Sequence, residues 1–149
     1  MLPEKWGLEL NIAINVPETM LPDEETGASG YLTIDLQALR RNYARIAEAV
    51  APARAAAVVK ADAYGLGARQ VSQTLLAEGC RDFFVAEFSE AVRLKPCLPA
   101  DARLFVLNGL QPGNEAICAG AGIVPVANSL EQLRRWCDAA GGRTLPVVL

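Results

Sequence analysis

The chain has 149 residues, a net charge of −3, 52% hydrophobic and 21% charged residues, and no histidine. That length suits about one ordinary domain with a packed core, and the mild acidity gives no electrostatic basis for nucleic acid or an anionic membrane as partner. The lack of histidine excludes Ser-His and Cys-His catalytic pairs and His-ligated metals from within the chain.

Taken in order, residues 1–29 are broken by Pro3, Pro17, Pro22, Gly27 and an acidic run at 23–25, and are expected to form an irregular extension. They lack the basic and long apolar regions of a signal peptide, and no apolar run in the chain approaches the roughly 20 residues that span a bilayer. Residues 30–149 carry the pattern of a folded domain. YLTI from Tyr31 reads as a short strand. Asp35 is placed to cap a helix whose Leu36, Leu39, Tyr43, Ile46 and Val50 share one face, with Pro52 as its stop.

Similar units follow. AAAVV is a strand, DAYGLG a turn, and ARQVSQTLLAEG a helix stopped at Gly79. FFVA is a strand and SEAVRL a short helix closed by Pro96. RLFVL is a strand, then come the NGLQPG loop and NEAICAG. IVPVA is a strand, and SLEQLRRWCDAA a helix with a Ser129-x-x-Gln132 capping box. LPVVL is a last strand within which the chain stops, as though cut. About five apolar strands alternating with helices predict an α/β domain, a parallel sheet covered on both faces. No G-x-G-x-x-G follows the first strand, which weakens a Rossmann reading. By length a flavodoxin-like layer fits, and a (β/α)8 barrel of about 250 residues does not.

Lys60 ends the AAAVV strand, on the side of a parallel sheet where ligands bind. Two readings stand. It snorkels into solvent, or it is turned inward, desolvated by the flanking valines with a lowered pKa, to form a Schiff base. Tyr64 offers a hydroxyl, and Gly65 and Gly67 allow close backbone approach, a suitable cradle for a phosphorylated aldehyde cofactor. Asp62 is expected to cap the turn rather than pair with Lys60. Phe83, Phe84 and Trp136 read as core, and Arg134 and Arg135 as a solvated helix face. NGLQPG is a plain turn or a ligand loop. Cys80, Cys97, Cys118 and Cys137 form no C-x-x-C pair and read as reduced cytoplasmic thiols, with no metal site.

VVKADAYGLGA, together with LTIDLQALRRNY, FFVAEFSEAVRL, LFVLNGLQPGNE and IVPVANSLEQLRRW, resembles the alanine racemases over about residues 28–149. The resemblance implies roughly the first half of a pyridoxal-phosphate-binding (β/α)8 TIM-type barrel, without the family's C-terminal β-domain. It implies an enzyme that interconverts L- and D-alanine through a pyridoxal-phosphate aldimine and α-proton transfer, supplying D-alanine for the cell wall. By position, Lys60 matches the lysine that carries the cofactor and acts as base on the D-alanine side. Tyr64 matches the tyrosine that hydrogen-bonds the phosphate, and Val58 and Leu107 fall where the family lines the pocket.

Inversion needs a second base on the opposite face. In the family this is a tyrosine of the C-terminal domain, reached across a homodimer interface, and none of Tyr31, Tyr43 and Tyr64 stands in its context. The arginine beside the ring nitrogen, the late-barrel phosphate loop and the arginine after the fifth strand are also unmatched, and Leu66 stands where many members have histidine. The chain as given is therefore expected to be incomplete, to be unstable or self-associate, and not to racemise. The alternatives are an inactive fragment or a pyridoxal-phosphate-binding barrel protein without turnover.

Overall fold

The computed structural model describes residues 32–149, so the expected extension over 1–29 and Tyr31 lie outside the described residues. Helix α1 (Leu36–Val50) begins as expected: the Asp35 carboxylate accepts from the Gln37 and Ala38 backbone N–H groups at 2.8 and 3.0 Å, satisfying donors that have no partner inside the helix. Leu32–Ile34 are irregular and not the strand expected of YLTI. Among the described residues no strand lies beside them to take up their hydrogen bonds.

Strands β1 (Ala57–Val58), β2 (Asp82–Val85), β3 (Arg103–Val106) and β4 (Val124–Pro125) form one parallel sheet in the order β1-β2-β3-β4. Between and after them come the short turn α2 (Lys60–Tyr64) and helices α3 (Ala68–Ala77), α4 (Phe88–Leu94), α5 (Glu115–Gly120) and α6 (Leu130–Ala140). Of LPVVL only Val148 joins the sheet, through a single parallel bridge to Val126. Pro96 lies inside a 3₁₀ turn, Lys95–Cys97, that continues α4.

Two expectations fail together. A flavodoxin-like layer needs its strand order to reverse, and a sheet covered on both faces needs helices on both sides. Strands laid down in chain order, joined by right-handed crossovers, put every helix on the same side. Alternation along the strands matches this. Val59, Phe83, Val85, Leu104, Val106 and Ile123 are almost wholly buried and pack with Tyr43, Leu75, Leu94, Cys118 and Trp136 from the helices. The register sets Val58, Phe84, Phe105 and Val124 in a row on the opposite face.

Among the described residues no helix lies over that second face. Val58 is 44% exposed. Phe84 is only partly covered, by stacking on Phe105 with ring centroids 4.5 Å apart, so it is not the core residue expected from the sequence. At the N-terminal end of this face the buried carboxylate of Asp82 pairs with Arg103 at 2.6 Å and Arg54 at 2.9 Å, and the Arg103 guanidinium lies 5.3 Å from the Phe105 ring centroid. The hydrogen bond from Arg103 holds the Asp82 carboxyl below the usual carboxylate range, against the opposing effect of burial and with the charges of both arginines adding to it.

Because the folded form of Asp82 resists protonation more than the unfolded form, its contribution is complete above the unfolded pKa of about 4 and fades as pH falls toward the lower folded value. Asp82→Asn is expected to lower stability at neutral pH by about 1–2 kcal/mol, discounted for its solvent-exposed arginine partners. Urea unfolding of both proteins at pH 7 and pH 3 should show the difference narrowing at the lower pH.

Candidate functional site

At the C-terminal ends of the strands the chain makes an unusual turn. Ala61, Asp62, Ala63 and Tyr64 have φ of 50, 55, 54 and 57°, so α2 is a left-handed helical turn built from non-glycine residues. Each such residue costs about 1–2 kcal/mol, so the turn requires support from outside itself. Internally Ala63 N–H donates to Val59 O at 3.0 Å and Gly65 N–H to Ala61 O at 3.0 Å. Asp62 accepts from Ala68 N–H at 2.7 Å, which closes the turn against the start of α3.

The external support is Glu90. One carboxylate oxygen accepts from Ala61 N–H at 2.6 Å, and the other accepts from Ala86 and Glu87 N–H, each at 2.9 Å. Burial alone would raise this carboxyl. The backbone donors of Glu87, Ala61 and Ala86, with the charge of Arg93, outweigh it and hold the group below its ordinary value. Glu87 and Glu90 form the capping box of α4, and Glu87 also accepts from the Asn108 amide at 2.6 Å.

The ends of β3 and β4 are tied in the same manner. The Asn128 amide donates to Leu107 O at 2.7 Å and Val126 O at 3.1 Å. Ser129 Oγ accepts from Gln132 N–H at 3.2 Å, but the Gln132 carboxamide accepts from Asn128 N–H at 2.8 Å. The expected capping box is thus half formed, its return bond displaced by one residue. Gly109, at φ 69°, lies so close to the Gln132 side chain that a Cβ would collide with it.

Lys60 follows Val59, which is buried in the helix-side core, at the point where β1 gives way to the turn. It is half-buried, and among the described residues it makes no hydrogen bond or ion pair, with Asp62 or any other. The desolvation expected from both valines is not present: Val59 faces away and Val58 is exposed. Tyr64 is 63% exposed with its hydroxyl unpartnered among the described residues, and Leu107 is half-buried at the end of β3. Lys60 and Leu107 therefore gather at one end of the sheet, with Tyr64 closing the turn, while Val58 lies one row deeper. A primary amine without a partner and a free phenol beside a glycine turn fit a phosphorylated aldehyde in the chemistry of their donors.

A cavity of about 410 Å³ lined by Val59, Asp62, Arg69, Glu90, Arg93 and Cys97 lies instead on the helix side of the sheet. Tyr43 is also on that side. Its hydroxyl donates to Ala55 O at 3.1 Å, and burial, with Cys80 beside it, pushes its pKa up to about 12. Arg135 is not the solvated residue expected: it pairs with Glu115 at 2.8 Å and Glu131 at 3.3 Å. Cys80 and Cys118 are buried, Cys97 half-buried and Cys137 exposed, all unpaired thiols. Among the described residues no helix is long and apolar enough to cross a membrane. Glu87, Glu90 and Asn128 were not singled out by sequence reasoning, which named Gln132 only in a capping box and Asn108 only within the NGLQPG loop. Only the Glu87-x-x-Glu90 spacing offered a signal, that of a capping box with an acidic cap.

Residues 34–149 match the family model described as alanine racemase, N-terminal domain. A catabolic alanine racemase of Rhizobium johnstonii is 65% identical over 125 residues, 83% of this chain and 33% of that protein. An alanine racemase of Brucella ovis is 59% identical over 129 residues, 85% of this chain and 33% of that protein. The crystal structure of alanine racemase from Bartonella henselae with covalently bound pyridoxal phosphate superposes with a TM-score of 0.74 at 39% identity, over 78% of this chain and 33% of that one. The chain thus spans about a third of the length of these relatives.

Gly109→Ala is expected to cost about 1–3 kcal/mol, from the positive φ and the displacement of Gln132 from Asn128. The check is a lowered urea midpoint at unchanged slope, the sign of lost stability without a changed denatured state.

Proposed function

The chain belongs to the alanine racemase N-terminal domain family, and from that premise we propose that it is the cofactor-bearing part of a pyridoxal-phosphate-dependent alanine racemase, with Lys60 the residue that carries the cofactor. The observation that supports this most directly is the unpartnered Lys60 amine at the C-terminal end of β1, held by a turn of fixed and unusual shape.

Lys60 has two tasks in this reading. Its Nζ is the attachment point, and once released it takes and returns a proton at the substrate α-carbon on its own face. Tyr64 donates its free hydroxyl to a phosphate oxygen. Val58 and Leu107 supply apolar wall, which orients the ring and excludes water. Pyridoxal phosphate, when bound, supplies the conjugated system that accepts the electron pair left as the α-proton departs.

Inversion also needs a proton-transfer group on the opposite face. Tyr43 is buried on the helix side and bonded to Ala55, and Tyr64 is assigned to the phosphate. Neither tyrosine serves there in this reading, and the family resemblance implies a tyrosine of a partner subunit that completes the site in a homodimer. Four unpaired thiols support a reducing, cytoplasmic setting.

Borohydride reduction after incubation with pyridoxal phosphate is expected to leave the pyridoxyl group on Lys60, with Lys5 and Lys95 as internal controls in the same peptide map. Label spread evenly over the lysines, or persisting elsewhere in Lys60→Arg, would sink the reading. Tyr64→Phe is expected to weaken cofactor binding about 5–10-fold, the worth of one hydrogen bond to a charged oxygen, measured by absorbance titration.

A further inference from the structure

We propose that Glu90 is the positioning residue for Lys60: its carboxylate joins the turn after β1 to the turn after β2 and so fixes the backbone from which the Lys60 side chain leaves. The inference rests on the reading of Lys60 as the cofactor lysine, but its structural half stands by itself. Ala61 is the first left-handed residue after Lys60, and its N–H points away from the turn's own hydrogen bonds into Glu90 at 2.6 Å. The other carboxylate oxygen is held by Ala86 and Glu87 N–H at the end of β2. A carboxylate with one backbone donor from one element and two from its neighbour ties the two elements together.

The residue type follows from the donor set. All three partners are N–H groups, so only a side chain that accepts through both ends satisfies them. A carboxamide offers one oxygen and turns an NH₂ toward the remaining donors. An aspartate keeps the charge and the cap of α4 but is one methylene too short to span both turns. Nothing else among the described residues hydrogen-bonds Ala61 N–H. Glu90 also lines the helix-side cavity, behind the sheet from Val58, so it acts through the backbone and does not touch the cofactor.

The test uses the 149-residue chain with Glu90→Gln, Glu90→Asp and the remote variant Asp82→Asn, compared at temperatures equally far below each variant's Tm. Amide hydrogen exchange at Ala61, which needs no cofactor, is expected to be about tenfold or more faster in both Glu90 variants and unchanged in Asp82→Asn. Pyridoxal phosphate labelling of Lys60 is expected to fall in parallel, by about tenfold in Glu90→Gln, and to be retained in Asp82→Asn. Slow Ala61 exchange in Glu90→Gln, full exchange already in the parent, or an equal loss in Asp82→Asn overturns the proposal. A parent that protects Ala61 yet takes no label on Lys60 overturns the cofactor reading and leaves the clamp standing.

Discussion

Strand order is the constraint on which the rest depends. Parallel strands in the sequence β1-β2-β3-β4, joined by crossovers of one hand, send every helix to one side of the sheet. Phe83, Val85, Leu104 and Val106 can then be buried in a helix-side core, while Val58, Phe84 and Phe105 look the other way. An open sheet of this kind belongs to a barrel. The face without helices is the barrel's interior, filled in a closed barrel by layers of side chains from all its strands. Family membership and the superposition at a TM-score of 0.74 agree with that architecture.

The same geometry gathers chemistry at one end. All four strands point the same way, so their C-terminal ends lie together with the segments that follow them. The side chains there serve the backbone more than each other: Glu90 bonds Ala61, Ala86 and Glu87, and Asn128 bonds Leu107 and Val126. The strands are short, β1 and β4 having only two residues each. Side chains therefore replace the ladder hydrogen bonds that longer strands would carry into the loops. Lys60 is left out of this network, its amine without a partner among the described residues.

Much of this was legible in the residues. Asp35 as a cap, the α1 face through Tyr43, the alternation of strands and helices and the position of Lys60 all rest on local rules, and the structure keeps them. The misreadings came where a property depends on what lies across the sheet. Phe83 and Phe84 are identical side by side in sequence, yet one is fully buried and the other only partly covered, because among the described residues the helices cover one face only. Arg135 looks like any surface arginine until α5 brings Glu115 beside it. Gln132 follows the spacing of a capping box, but Asn128 takes its bond. Glu90 was invisible as a site residue since its partners are backbone groups, which carry no mark in the sequence. The family resemblance supplied the barrel, which length and periodicity alone had set aside.

The turn at 61–64 is the mirror image of an ordinary helical turn, written in residues of the usual hand. In isolation the stretch from Ala57 to Ala68 would abandon it, since each left-handed residue has a cheaper alternative. The shape is thus imposed from a distance, by β2 and the start of α4, and exists only once they have docked. Lys60 accordingly leaves the backbone at a turn whose shape depends on segments that follow it in the chain. The shape of the turn is in this sense a report on the completeness of the tertiary structure, and not a property of the dodecapeptide that contains it.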